Sequence, residues 1–324
     1  MNLLRRATFS LLACSVFMLG VASAQGFPNR PIEWVVPYPA GGGTDVVART
    51  LSQPFSAALA QPVVVVNKPG AATNIGADYL MRSKSDGYTV MTADTGTLAA
   101  NPFLYQNLNY KADTDLVSVG LTVRFPMILV AAPDFPANTL QEFIAWAKKQ
   151  PNPVNYASPG AGSPHHLATE FFADIAAVKL NHVPYKGAAP AVQDVTGGQV
   201  PFMFVDSAAG FALIQSGKLK AIGIATPERL KSFPNVPTMR EQGLKDFEAY
   251  AWQGLVVPKG TPVDVIATLN KALQVALKNP EAQARLLAMG LEITPGTPEQ
   301  MTAYASSERK KWGTVIQSTG IKVD

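Results

Sequence analysis

Short apolar runs in this chain end, time after time, in glycine and hydroxyl residues that open a helical pattern. Ile32-Glu33-Trp34-Val35-Val36 passes through Pro37-Tyr38-Pro39-Ala40-Gly41-Gly42-Gly43-Thr44-Asp45 into the helical spacing of Val46-Val47-Ala48-Arg49-Thr50-Leu51. The run at 62–66 turns through 67–74 into a helix to Met81, and 88–92 leads to Asp94-Thr95-Gly96-Thr97 and a short helix. The device returns at 154–157, with Ser158-Pro159-Gly160-Ala161-Gly162-Ser163 and a helix over 164–177. It returns again at 182–184 with Gly187, and at 202–205 with Asp206-Ser207 and a helix to Gln215. Strands alternating with helices predict parallel sheets with helices on both faces. Ligands in such sheets sit beyond the carboxyl ends of the strands, and there this chain places Gly, Ser, Thr and Asp. Strands at 127–130, 219–225 and 252–258, a helix over 140–149 capped by Thr139, and closing helices at 262–277, 280–289 and 298–317 complete the reading. The last three start at or near prolines.

The first loop is the richest in glycine. Three residues without Cβ let a ligand approach the backbone, and Thr44 or Asp45 can cap the helix. Free N–H groups and the positive helix end then form an anion site without a basic side chain. A capped turn with no ligand has the same sequence signature. Loops 38–45, 92–98 and 157–163 contain neither Lys nor Arg. A carboxylate there cannot rely on a bidentate guanidinium; backbone N–H groups, hydroxyls and water must serve. Ser163 followed by Pro164 is a good helix start, which capping alone also explains. Asp206 either caps the next helix or accepts a ligand's N–H or hydroxyl. Asp45 reads as a cap too, since beside an anion it repels unless turned away. Tyr38 and Phe125 offer aromatic walls or simple core, and Lys186 reads as surface or lobe contact.

His165 and His166 point about 100° apart on a helix and share a metal poorly. Ala161 stands two before Ser163, so no nucleophile elbow exists, which disfavours a hydrolase built from Ser163, a histidine and Asp194. His166 is expected to pack locally and His165 to edge the pocket.

Arg5 and Arg6, an apolar stretch over 7–21 and Ala22-Ser23-Ala24 read as a secretory leader cleaved after Ala24. The stretch is too short and wrongly flanked for an anchor. The arginine pair raises twin-arginine export, though Ala7-Thr8-Phe9 fits that signal poorly, and the apolar stretch continues past Cys14, against a lipoprotein site. The mature chain has 300 residues and no cysteine. Its core must hold without disulfides, and at that length two lobes are expected. Its 25 basic and 23 acidic residues form no basic cluster, which argues against nucleic acid. The 26 prolines and 25 glycines imply short, sharply turned connections. Crossings near 124–126 and 247–252 place one lobe in 25–124 with 250–324 and the other in 125–249.

Tyr38 to Asp45, Asp86-Gly87-Tyr88-Thr89, Tyr156 to Ser163, His166-Leu167, His182-Val183-Pro184-Tyr185-Lys186-Gly187, Val236-Pro237-Thr238 and Trp252-Gln253-Gly254-Leu255 with Pro258 follow one another over nearly the whole mature chain. In this order and spacing they resemble the Bug-type (Bordetella uptake gene) receptors of the tripartite tricarboxylate transporter family. The resemblance implies an α/β, type II periplasmic binding protein fold: two lobes, each a central β-sheet flanked by helices, with a ligand cleft between them. It implies a monomeric periplasmic receptor rather than an enzyme, without cofactor or metal. Its ligand is a small carboxylate (a di- or tricarboxylate, an acidic amino acid or an aromatic acid) held through backbone amides and water. Its partners are membrane transporter subunits of the tripartite tricarboxylate type. The ligand-binding candidates are Tyr38, Ala40, Gly41, Gly42, Thr44, Asp45, Thr95, Gly96, Ser158, Gly160, Gly162, Ser163, His165 and Asp206. The family usually has glycines where Ala72 and Thr73 stand here, so two Cβ atoms and a hydroxyl are expected to narrow or repolarise that rim. Two other readings are an exported hydrolase using Ser163 and His165, and a ligand sensor feeding a membrane signalling protein. The missing nucleophile elbow, metal spacing and nucleotide fingerprint favour the receptor.

Overall fold

β1 (Ile32–Val36) is buried on both faces, because each face meets a different helix layer. Ile32, Trp34 and Val36 pack with Val47, Leu51 and Phe55 of α1 (Gly43–Leu59) and with Leu269 and Leu273 of α8 (Val263–Leu277). Val35 turns to the other side and joins Ala77 and Leu80 of α2 (Asn74–Arg82). β1 lies between β2 (Val63–Asn67) and β3 (Thr89–Asp94), parallel to both. The structure, a computed structural model, describes residues 26–323; the leader, its cleavage site and Cys14 lie outside the described residues.

A second parallel set is built from β5 (Val154–Ser158), β6 (Leu180–Pro184) and β7 (Phe202–Asp206), with β5 paired to both others. α5 (Pro164–Ala176), α6 (Ala188–Thr196) and α7 (Ser207–Gln215) follow these strands in turn. Parallel sheets are expected from the alternation of strands and helices, but the parallel sets are joined by antiparallel strands. The strand order is β2-β1-β3-β9-β4-β7-β5-β6, and β9 (Tyr250–Pro258) pairs antiparallel with β3 and with β4 (Leu116–Ala131). β4 is antiparallel to β7 as well, and to β8 (Lys220–Ile224) and β10 (Glu292–Ile293).

β4 is also far longer than the strand expected at 127–130. Over Leu116–Pro126 it pairs with β9, and over Met127–Ala131 with β7 and β8. The signal was present in the alternation of Val119, Leu121, Val123 and Phe125, all buried. Pro126 stands where β4 leaves β9, at the last paired position opposite Tyr250, so its missing N–H breaks no ladder interior.

The remaining helices behave as their starts predict. Thr139 caps α4 (Leu140–Lys148) with Glu142 in a capping box. Pro280 opens α9 (Pro280–Ala288), and Pro298 opens α10 (Pro298–Thr319) behind the cap of Thr297. α10 ties the two sheets together. Glu308, nearly buried, accepts from Trp312 Nε1 at 2.8 Å and from Trp252 Nε1 of β9 at 3.1 Å. Trp312 meets Phe171 of α5 edge-on at 6.1 Å, so one carboxylate orients two indoles between the layers. Glu308→Ala leaves both indole N–H groups buried without an acceptor. At roughly 1–3 kcal/mol for each orphaned donor, urea unfolding should show a loss of about 3 kcal/mol. A loss below about 1 kcal/mol would show that the indoles hold their places without it.

Candidate functional site

The register of β4 brings the two sets of loops face to face. Asp94 ends β3 in the row that contains Gln253 of β9 and Val123 of β4. Asp206 ends β7 in the row of Met127. Those rows are four residues apart on β4, about 13 Å at ~3.3 Å per residue. β7 runs antiparallel to β4, whereas β3 runs in the same sense, so both carboxyl edges converge on one short stretch. The loops meet there: a Cβ on Gly162 would come within 2.7 Å of Leu104 Cδ1 in α3 (Asn101–Leu104).

The glycine loop opens α1, but its capping differs from expectation. Gly42 is the N-cap and no side chain caps the helix; Asp45 lies one turn in, 1 % exposed. Asp45 Oδ2 accepts from Gly41 N–H and Arg49 Nε, both at 2.9 Å, and Oδ1 accepts from Asn67 Nδ2 at 2.8 Å. Burial alone would raise its pKa; these donors hold it below the usual carboxylate range. Asp45 is therefore turned away from the loop's outer side and fixes the loop from behind. The N–H groups of Gly43, Thr44 and Asp45 have no partner among the described residues. Ala40, Gly41 and Gly42 are exposed and Thr44 is half-buried.

Behind this loop lies a polar network that sequence reading missed. Tyr38 donates from its hydroxyl to Asp94 Oδ2 at 2.5 Å. Burial, then the Asp94 charge, pushes the phenol well above its ordinary pKa. Asp94 Oδ1 accepts from Thr97 N–H at 2.8 Å. Thr97 Oγ1 lies 2.9 Å from both Asp94 Oδ1 and Thr73 Oγ1. The carboxylate can only accept and Thr97 has one proton, so Thr97 donates to Asp94 and Thr73 donates to Thr97. Asn101 Nδ2 holds Ala72 O at 2.7 Å and Asn74 Oδ1 at 2.9 Å. Asn101 is 1 % exposed; its partners Ala72 and Asn74 stand 29 and 27 positions away, so no local signal in the sequence marks it.

The network braces a strained turn. Ala71, Ala72 and Thr73 have φ of 45°, 46° and 81°, left-handed backbone that costs a non-glycine residue roughly 1–2 kcal/mol. That conformation is a physical reason for the glycines usual at positions 72 and 73. The hydroxyl of Thr73 is not on the rim as expected: Thr73 is 2 % exposed and bonded inward, and only the Ala71 and Ala72 methyls face out. Thr95 and Gly96 are buried as well, and Thr95 Oγ1 accepts from Trp252 N–H at 3.1 Å.

On the opposite edge, Ser163 caps α5 through His166 N–H at 3.3 Å, with Pro164 in the first turn. Asp206 caps α7 through Ala209 N–H at 3.0 Å and pairs with His165 Nε2 at 3.1 Å. Burial raises the Asp206 pKa, but His165 and the helix N–H groups outweigh it and hold it low. A Ser163–His165 pair is therefore not formed: Ser163 accepts a backbone N–H and His165 engages Asp206. Ser158 is fully buried; its Oγ lies 2.5 Å from His182 Nε2 and accepts from Gly160 N–H at 3.1 Å. Gly162 N–H donates to His166 Nδ1 at 3.0 Å, and the His166 and His182 rings stack at 3.8 Å. Burial pushes His182 down to about 4. Burial, then the neighbouring His182, pushes His166 down to about 3. Lys186 is exposed, and Arg124 pairs with Glu292 at 2.6 Å.

Residues 47–321 match the model of the tripartite tricarboxylate transporter family receptor. This chain belongs to that family. The receptor is 36 % identical over 325 residues to protein BugT of Bordetella pertussis, covering 100 % of both chains. The solved periplasmic binding protein BugD is 36 % identical and superposes with a TM-score of 0.81, over 92 % of this chain and 100 % of that one. MatC from Rhodopseudomonas palustris, solved with bound malate, is 32 % identical with a TM-score of 0.80, over 90 % of this chain and 100 % of that one. The receptor thus has the two-lobed periplasmic binding protein fold, and its family is one of solute receptors, not enzymes. Among the described residues no helix is long and apolar enough to cross a membrane.

The histidine stack gives the receptor an acid sensitivity of definite sign. Both rings are neutral when folded, whereas the unfolded chain binds their protons below about pH 6.5. Unfolding therefore takes up protons, and stability falls as pH drops from about 6.5 towards the folded values near 4 and 3. Between pH 7 and 5 denaturant unfolding should lose roughly 3–4 kcal/mol on this account, about half of it from each ring. His182→Gln should flatten the slope. An unchanged slope would place the proton uptake elsewhere.

Proposed function

We propose that the receptor captures a small carboxylate between its lobes in the periplasm and delivers it, as a monomer, to membrane subunits of a tripartite transporter. The lobes comprise residues 25–124 with 250–324 and residues 125–249, and the leader before them is removed on export. One observation carries the reading: the first turn of α1 presents unpartnered N–H groups at the converging carboxyl edges, while the local acid, Asp45, is bonded away. Such a turn accepts a carboxylate by helix dipole and hydrogen bonds. The printed ligand of the similar MatC structure, malate, supports the class.

The energetics are sufficient. Hydrogen bonds to a charged acceptor contribute about 1.5–3 kcal/mol each, and micromolar binding needs about 8 kcal/mol. Thr44 and Ser163, together with bridging water, supplement the backbone donors. No guanidinium is required, and Arg124 is already engaged by Glu292 and stacked 4.3 Å from the Tyr250 ring centroid.

Thermal melting against a panel of di-, tri-, amino- and aromatic carboxylates tests the function, since a bound ligand raises the midpoint and leaves unchanged. No stabilisation by any of them would remove the reading. Native mass spectrometry of the purified protein identifies a retained ligand.

Gly42→Val tests the loop. Gly42 has φ −75°, which valine adopts, and a Cβ there meets only Pro39 O at 3.5 Å. The variant should fold as the wild type does and bind at least tenfold more weakly; calorimetry showing wild-type affinity would take the loop out of the site. Arg124→Gln and Lys186→Gln should each change the dissociation constant by less than about tenfold, or 1.4 kcal/mol. Abolished binding in either folded variant would put a basic side chain at the centre instead.

A further inference from the structure

Gln253 carries a buried amide that the fold leaves unsatisfied. It is 1 % exposed, and neither Oε1 nor Nε2 has a hydrogen-bond partner among the described residues. Such groups are rare, and each costs stability. The backbone around it is fully engaged: Gln253 O accepts from Thr122 Oγ1 at 2.9 Å, and the residue is paired across to β3 and β4.

Its place in the fold is specific. Residues directly opposite in an antiparallel pair share a face of the sheet. Gln253 stands opposite Asp94 on one side and Val123 on the other. Alternation along β9 puts it on the face of Leu255 and Val257, with Val123 and Phe125 of β4. That face carries α1, whose first residue abuts Phe125: a Cβ on Gly43 would lie 3.5 Å from Phe125 Cε1. Asp94, beside Gln253, is held by Tyr38 from the glycine loop. The amide therefore sits on the sheet by the first turn of α1, where the N–H groups of Gly43, Thr44 and Asp45 are unpartnered.

We infer that Gln253 reads the group beside the ligand's carboxylate, selecting acids that bear a hydrogen-bond donor, a hydroxyl or an ammonium, on the adjacent carbon. The inference rests on the carboxylate-receptor reading. An amide both donates and accepts. A carboxylate held by the helix N–H groups satisfies Nε2 but offers nothing to Oε1. An O–H or N–H on the adjacent carbon satisfies Oε1, whereas a plain acid leaves it buried and unpaired. Sites built to bond a substrate donor reject analogues that lack it, for this reason. The orphaned amide of the free receptor is then a stability cost retained for selectivity.

The test is calorimetry on wild type and Gln253→Met, which is close to glutamine in volume, with three matched sets of acids. These are succinate, malate and aspartate; glutarate, 2-hydroxyglutarate and glutamate; phenylacetate, mandelate and phenylglycine. In the set it binds, the wild type should prefer the substituted acid over the plain one by at least tenfold, and the hydroxyl and ammonium arms separate the two donors. Gln253→Met should lose that preference and, without ligand, melt above the wild type, because an unpaired buried amide has been removed. Three results overturn the inference while leaving the receptor reading intact: equal wild-type affinity for plain and substituted acids, a preference that survives in Gln253→Met, or a lower ligand-free melting point. The last would mean the amide is bonded within the fold, to Asp94 for example. A wild type that binds none of these acids, and is stabilised by no other carboxylate, overturns the receptor reading and the inference with it.

Discussion

The antiparallel ladder between β4 and β9 is the constraint on which the site depends. Two parallel strand sets would each expose a row of loops at the carboxyl edge, with nothing to relate one row to the other. β4 belongs to both sets, through Leu116–Pro126 with β9 and through Met127–Ala131 with β7. β3, reached through β9, runs in the sense of β4, whereas β7, paired directly to β4, runs against it, so the two carboxyl edges converge instead of pointing apart. At the crossing, Met127, Ala249 and Ala225 exchange backbone hydrogen bonds of 2.8–3.3 Å.

Around that junction the polar groups divide into those that hold the loops and those left for a ligand. Asp45 in the first turn of α1, Asp94 at the end of β3 and Asp206 at the end of β7 are each bonded to protein donors: Arg49, Asn67 and Gly41; Tyr38 and Thr97; His165 and Ala209. Three carboxylates near an anion site would repel the anion if their oxygens were free. Bonded as they are, they position backbone N–H groups while their own charge is met locally. The cost appears in the turn Ala71–Thr73, whose left-handed backbone persists because Asn101 and Thr97 hold it.

Much of this molecule is legible in its sequence. Helix starts at Ser163, Asp206 and Thr139 were readable because a cap is a contact between residues three apart. The strand–turn–helix order was readable because the 2.0 and 3.6 periods are local. The set of motifs from Tyr38 to Pro258 pointed to the receptor family, and the family match bears this out. The local signal misled at Asp45, where a cap residue sits one turn inside the helix. At 116–126 a plain alternation marks most of β4, beyond the strand expected at 127–130.

What the sequence by itself determined, then, is every feature decided within one turn or one strand: element order, caps, proline starts, and loops rich in glycine and hydroxyls without Lys or Arg. What only the tertiary structure decided is which distant groups meet. The sense of β9 relative to β3, the Thr97–Thr73 contact across 24 positions, and the placing of Gln253 opposite Asp94 across 159 all depend on strand register. Register is selected by the sum of burial over two whole sheets, and no residue or short window encodes it. The same holds for buried polar groups. A glutamine in a strand carries no mark of whether its amide will find a partner, because that partner is chosen by the packing of chain segments far away in sequence.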